Sequence, residues 1–253
     1  MSAMTTRPEP RTLEVLSSET LSPSMHRLAL GGAGLANFPA GQAGGYIKLM
    51  LPAEGERPVV RTYTIRRQTP EALTVDFALH GQEAAGPATR FALEAQRGAT
   101  VQVGGPGPAK PLPAGRDFYL VAGDMTALPA IGVNLEALDR EAKGHAAIEI
   151  QAEADRQPID APPGVTIEWI VNPQPGLAPE LLVEAMRAAE LPDGNVAAWA
   201  ACEFSSMRAL REFFRGELGL GGEDLYISSY WKHGLEETKH KVLKREDAEA
   251  QAA

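Results

Sequence analysis

The chain has 253 residues, a net charge of −9, 44% hydrophobic and 23% charged residues, which is the make-up of a globular protein with room for one large domain or two modest ones. The acidic balance argues against nucleic acid or an anionic membrane as partner, and no apolar run reaches the length of a membrane span. The single cysteine, Cys202, excludes an internal disulfide and a cysteine-built metal site. The opening stretch MSAMTTRPEPR lacks the apolar core of a signal peptide, so a cytoplasmic protein is expected.

The first hundred or so residues read as short strands punctuated by Gly and Pro. GGYIKLMLP alternates, with Ile47, Leu49 and Leu51 on one face and Tyr46, Lys48 and Met50 on the other. RTYTIRR sets Arg61 and Arg66 around Tyr63 and Thr64, more charge than a strand filling a core would need. Either it is a solvated edge strand, or it grips a flat anionic group. LTVDFALH alternates again, with Leu73, Val75, Phe77 and Leu79 opposite Thr74, Asp76 and His80. GPAT then opens a helix over Ala88 to Ala95, where Pro in the first turn and free N–H groups make an anion site or a plain helix start. ATVQVGGPG is a further strand ending in a glycine-rich turn. Strands at this spacing predict an antiparallel barrel.

The rhythm changes after KPLPAGRD, and the domains are set at 1–113 and 114–253. FYLVA, AAIEIQA, VTIEWIV, NVAAWAA and LYISSYW read as strands. They are separated by the helical runs GDMTALPAIGVNLEALDREA, APELLVEAMRAAEL and SSMRALREFFRGEL. That alternation predicts a parallel sheet with crossover helices, with ligands at the carboxyl ends of its strands. The loops after Ala122 and Ala201 and the end of SSYW are therefore expected to line a site. GDMT is not the G-x-G-x-x-G fingerprint; Asp124 or Thr126 caps the following helix on its chemistry alone, and Ser205 is expected to cap the next. The closing LEETKHKVLKREDAEAQAA starts as a helix and frays. The five histidines are scattered without ligand spacing, so no metal site is expected.

A barrel followed by a parallel α/β unit, with an Arg-Tyr-Thr strand in the barrel, resembles the ferredoxin reductase type of flavoenzyme. The ordered set RTYTIR, HGQEAAGPATRFA, VGGPG, LVAGDMTALPAI, AWAACEFSSMRALREF and SSYWKHG resembles the siderophore-interacting protein family, FAD-containing reductases of ferric siderophores. The resemblance runs from about Arg11 to His233. It implies FAD as cofactor, a ferric siderophore as substrate, and NAD(P)H or a ferredoxin as electron donor, with no protein residue certain to be catalytic because the flavin carries the chemistry.

The resemblance also implies roles. Arg61 pairs with the FAD pyrophosphate, Tyr63 lies against the isoalloxazine, Thr64 sits near its N5, and Arg66 returns to the phosphate side. His80 and Gly81 contact the flavin; Gly86, Ala88 and Thr89 hold its phosphates; Asp124 and Thr126 lie by the adenine end, with Met125 where glutamate is frequent. Cys202 stands where the family usually has glycine and related reductases have a cysteine near the nicotinamide; a small buried filler is the other reading. Arg208 and Arg211 are candidates for a pyridine-nucleotide phosphate. Lys48, Lys232, Lys241 and Lys244 are the candidate cations for the siderophore, against the reading that all are solvated surface lysines. Two rivals remain at this level: a general NAD(P)H–flavin oxidoreductase of the same fold, and a non-catalytic siderophore-binding protein.

Overall fold

The structure, a computed structural model, describes residues 9–52, 58–79, 86–235 and 237–252. The chain divides into two compact units: Met1–Leu21 with Met25–Ala109, and Ser22–Ser24 with Lys110–Ala253. No helix among the described residues is long and apolar enough to cross a membrane.

The first unit is an antiparallel sheet. Its strands are β1 (Arg11–Ser22), β2 (Met25–Gly31), β3 (Tyr46–Leu51), β4 (Val59–Thr64), β5 (Arg67–Gln68), β6 (Ala72–Ala78) and β7 (Thr100–Gly107). Among the described residues their order is β4-β3-β7-β1-β2-β6-β5. The two ends of that order, β4 and β5, are separated in the chain by Ile65 and Arg66 alone. One nearly continuous run therefore leaves one edge of the sheet and pairs with the other, and the sheet closes as the barrel that the alternation predicts. Ile65 marks the crossing, its N–H bound to Gly45 O and its carbonyl to Gly44 N.

The alternation in β3 is real: Ile47, Leu49 and Leu51 are buried and Tyr46, Lys48 and Met50 half-exposed. The buried set joins Leu13, Val15, Leu28, Leu30, Leu73, Val75, Phe77, Val101 and Val103 in one core, each such side chain worth about 1.5–3 kcal/mol of burial. Asp76, expected on the face away from the core, is nonetheless buried. Arg27, directly opposite it in the ladder, covers it with a two-armed ion pair at 2.6 and 2.8 Å. A short helix, α1 (Pro87–Glu94), follows the last hairpin segment and packs Ala88 and Ala92 onto the core.

The second unit is the expected parallel sheet: β8 (Phe118–Gly123), β9 (Lys143–Ile150), β10 (Gly164–Val171), β11 (Val196–Glu203) and β12 (Leu225–Trp231), in the order β10-β9-β8-β11-β12. Its crossover helices are α2 (Leu128–Glu136), α3 (Leu181–Ala188) and α4 (Phe204–Arg211). The middle strands are continuous apolar runs because both faces are covered. Where β8 ends, a Cβ on Gly123 would lie 2.5 Å from Ala201 O and 2.9 Å from Ile131, so only glycine lets β8 turn into α2 this close to β11.

The terminal helix, α5 (Glu237–Ala252), does not fray after its first turns as the polar sequence suggests. Polar bonds supplement a small apolar contact made by Leu243 and by the His240 ring against Phe204. His240 Nε2 lies 2.9 Å from Ser229 Oγ, Lys244 Nζ donates to Ser228 Oγ and Ser229 O, and Asp247 takes both arms of Arg211 on α4.

Candidate functional site

In the barrel, strand β4 sits at the end of the hydrogen-bonded order and pairs with β3, placing Tyr63 opposite Ile47, Thr62 opposite Lys48 and Arg61 opposite Leu49. Tyr63 leans on the core through Phe77, with ring centroids 4.3 Å apart and tilted by 39°, yet stays half-exposed. Arg61 is half-buried and donates to Val60 O at 3.2 Å. Arg66 is pinned at its backbone, N–H to Thr74 O at 2.8 Å. Helix α1 starts from an extended Gly86 with Pro87 in its first turn, and its first ladder bond is Arg90 N to Gly86 O. The N–H groups of Ala88 and Thr89 precede that bond, at the positive end of the helix dipole. A Cβ at Gly86 would meet nothing within 4 Å among the described residues.

Two guanidiniums, two first-turn N–H groups and a half-exposed phenol ring are a donor set suited to a pyrophosphate attached to a flat aromatic system. The residues present fit FAD. His80 and Gly81 lie outside the described residues.

The second constellation is at the carboxyl end of the parallel sheet, where the three chain segments singled out by the strand pattern meet. Asp124, just past β8, accepts from Thr126 N and Oγ1 through Oδ1. Through Oδ2 it accepts from Glu203 N at 2.8 Å and the Trp231 indole N–H at 2.7 Å. Glu203, the last residue of β11, takes Ser205 N and Ser206 N with Oε2 and His233 N and Lys232 Nζ with Oε1, at 3.1 and 3.0 Å. Lys232 Nζ also donates to Ser205 Oγ at 2.9 Å. Glu149 on β9 completes a buried trio of carboxyls. It accepts from Asn172 Nδ2 at 2.9 Å, and burial, reinforced by Asp124 nearby, pushes its pKa up to about 7.

Two capping expectations are corrected. The Asp124 and Thr126 side chains do not cap α2, whose N-cap is Ala127; Asp124 instead closes its own turn onto Thr126 and reaches across to two neighbouring strands. Ser205 does not cap α4 either. The Glu203 carboxylate, buried and able to reach two N–H groups at once, holds that position.

Cys202 is fully buried in the core under α3 and α4, and burial pushes its thiol pKa well up. Arg208 lies 3.8 Å from Asp247, the same carboxylate that holds Arg211. Lys48 is half-exposed on the outer side of β3. Lys241 is exposed on α5, while the Lys244 amine is turned onto β12, where burial lowers its pKa. Sequence reasoning missed Glu149, Glu203 and the hydrogen-bonding role of Trp231. The available signal was a glutamate inside the apolar run AAIEIQA and another ending AAWAACE, since an acidic residue in a strand buried on both faces must have partners.

Known proteins resemble this chain throughout. The family signature described as siderophore-interacting protein matches residues 116–234, and that of the siderophore-interacting FAD-binding domain matches residues 14–57 and 52–110. Ferric vibriobactin reductase ViuB of Vibrio cholerae is 31% identical over 97% of this chain and 100% of its own length. The crystal structure of the siderophore-interacting protein SipS from Aeromonas hydrophila superposes with a TM-score of 0.85 at 33% identity, covering 95% of this chain and 98% of SipS. The NADPH-dependent ferric-chelate reductase of Escherichia coli is 25% identical over 87% of this chain and 92% of its own. A barrel followed by a parallel α/β unit is the succession found in ferredoxin-reductase-type flavoenzymes.

Proposed function

Because the chain belongs to the siderophore-interacting protein family, we propose that it is an FAD-dependent reductase that frees iron from ferric siderophores in the cytoplasm, with NAD(P)H or a ferredoxin as donor. The observation that carries the reading is the short strand β4 with the crossing after it, where Arg61, Tyr63, Thr64 and Arg66 follow one another within six residues; in the same unit, helix α1 starts with N–H groups free of ladder bonds.

When bound, FAD supplies the junction between two-electron and one-electron chemistry, accepting a hydride and giving single electrons. The protein binds and orients. Arg61 and Arg66 neutralise the pyrophosphate, and a planar guanidinium does so with paired, charge-assisted bonds. Ala88 and Thr89 add backbone N–H groups, with the Thr89 hydroxyl as a further donor, and Tyr63 packs a ring already fixed by Phe77 against the isoalloxazine. Lys48, half-exposed on the outer side of β3, supplies positive charge for the anionic oxygens of the chelate. Iron(III), the substrate's cargo, gains one electron and leaves as iron(II), which hard oxygen donors hold less well. No protein iron ligand is needed for that step.

The test is anaerobic: reduce the flavin, mix with a panel of ferric siderophores, and follow flavin absorbance together with the colour of a ferrous-iron trap. Reoxidation coupled to trapped iron(II) is expected. A reduced flavin that no ferric chelate reoxidises faster than buffer overturns the proposal.

A further inference from the structure

Of the four lysines that resemblance offers for the substrate, Lys232 has the most defined surroundings. Lys241 is exposed on α5. The Lys244 amine is turned onto β12, bonded to Ser228 and Ser229, and burial lowers its pKa. Lys232 is different. Its ammonium is held from one side by Glu203 Oε1 at 3.0 Å and from the other by Ser205 Oγ at 2.9 Å. Two of its three N–H donors are thereby used, and the side chain remains 26% exposed.

The segment carrying Lys232 is fixed as well. Trp231 before it is bonded to Asp124, and the His233 N–H after it to Glu203. The loop after β10 lies against the same residues: a Cβ at Gly176, which has φ +82°, would lie 2.9 Å from the Trp231 ring, 3.0 Å from His233 Cβ and 3.3 Å from Glu203 Cγ. Glu203 does not simply cancel the lysine. Its charge is also met by the N–H groups of Ser205, Ser206 and His233, two of them at the positive end of α4. Lys232 is left as a pre-oriented cation with a donor to spare.

We propose that Glu203 is a positioning residue for substrate binding: with Ser205 it holds the Lys232 ammonium in a fixed place, where it receives an anionic oxygen of the ferric chelate. The proposal rests on the reading of the protein as a ferric-siderophore reductase and adds the residue that prepares its cation. Fixing the lysine beforehand removes the entropy cost of ordering it when the chelate arrives.

The experiment is a double-mutant cycle on the flavin-loaded protein, with an iron(III) tris-catecholate and a neutral iron(III) tris-hydroxamate as probes. It is read in two ways: KM and kcat for reduction, and Kd from tryptophan quenching by the chelate with no electron donor present. Glu203→Gln is expected to raise KM and Kd for the catecholate about tenfold, with kcat held within about twofold, the pattern of lost ground-state binding. Ser205→Ala, which keeps the helix cap, is expected to raise both about threefold, and it carries the cycle if Glu203→Gln does not fold. In a Lys232→Met background neither change should add more than about twofold, because the group they position is gone.

Effects that multiply with Lys232→Met, or a variant that melts earlier with KM and Kd unmoved, overturn the proposal and leave Glu203 and Ser205 as structural props. A lowered KM in Glu203→Gln also overturns it, since the carboxylate would then be masking the lysine. If the parent reduces and binds neither chelate, the reading of the protein as a ferric-siderophore reductase falls, and the proposal with it.

Discussion

The indole N–H of Trp231 lies 2.7 Å from Asp124 Oδ2, so the end of β12 is tied to the end of β8 across β11. The same oxygen accepts Glu203 N of the intervening strand at 2.8 Å, and one carboxylate oxygen thus joins three strand ends. Trp231→Phe keeps a ring but removes the donor to a charged acceptor, which costs about 1.5–3 kcal/mol. Urea titration is expected to show that loss. A variant as stable as the parent would mean that the bond contributes nothing net.

Glu149 makes stability fall as pH rises. Its pKa is moved from 4.5 to about 7 in the folded chain by burial and by the neighbouring Asp124, Glu203 and Glu180. Below pH 4.5 it is protonated folded and unfolded alike, and there is no penalty. Between 4.5 and 7 only the unfolded chain releases the proton, so stability declines; above 7 the full penalty, about 3 kcal/mol, is in place. Glu149→Gln keeps an acceptor for Asn172 and should flatten this decline, making the variant more stable than the parent at pH 8 and nearly equal at pH 4.5. Parallel stability curves for the two proteins would contradict the assignment.

Arg61→Ala is expected to weaken FAD retention. Loss of a charge-assisted bond of about 1.5–3 kcal/mol corresponds to roughly ten- to a hundredfold in affinity. The check is flavin fluorescence on dilution of the yellow protein. Equal retention in parent and variant would move the pyrophosphate away from this strand.

Lys48 and Lys244 separate the two kinds of lysine. Lys48→Ala should raise the apparent KM for an anionic ferric catecholate more than for a neutral hydroxamate, with added salt shrinking the parent's advantage. Lys244→Ala should leave that contrast in place and instead speed amide exchange along α5, since its amine is bonded to Ser228 and Ser229. If Lys244→Ala alone erases the catecholate preference, the roles are reversed.

How far the sequence reveals these features depends on the range of the interaction. The strands of both units and the parallel order implied by strand–helix alternation come from local periodicity, which is why Ile47, Leu49 and Leu51 could be set inside from spacing alone. RTYTIRR stood out because two arginines around a tyrosine break the local pattern. Barrel closure by that same run depends on pairing between β5 and β6 and was not visible. Neither was the Asp124–Glu203–Trp231 junction, in which residues 79 and 107 positions apart share one oxygen. The caps differ for two reasons: Glu203, two residues before Ser205, takes the cap of α4, while Asp124 turns its second oxygen to the distant Glu203 N and Trp231 and leaves α2 without a side-chain cap. The contact of α5 rests on scattered polar bonds and the apolar residue Leu243, and no apolar stripe announced it.

The run from β4 into β5 joins the two edges of the barrel, and it also carries Arg61, Tyr63 and Arg66. Wall and handle are one piece of chain. A ligand that grips those side chains therefore cannot leave barrel opening unaffected: anything that binds the closed form alone stabilises it by mass action, by about 2.7 kcal/mol at a hundredfold excess over its Kd. Conversely, a substitution that merely loosens the crossing at Ile65, itself uncharged, is felt as weaker ligand retention. Structural upkeep of the barrel and possession of its ligand are in this chain two descriptions of a single equilibrium.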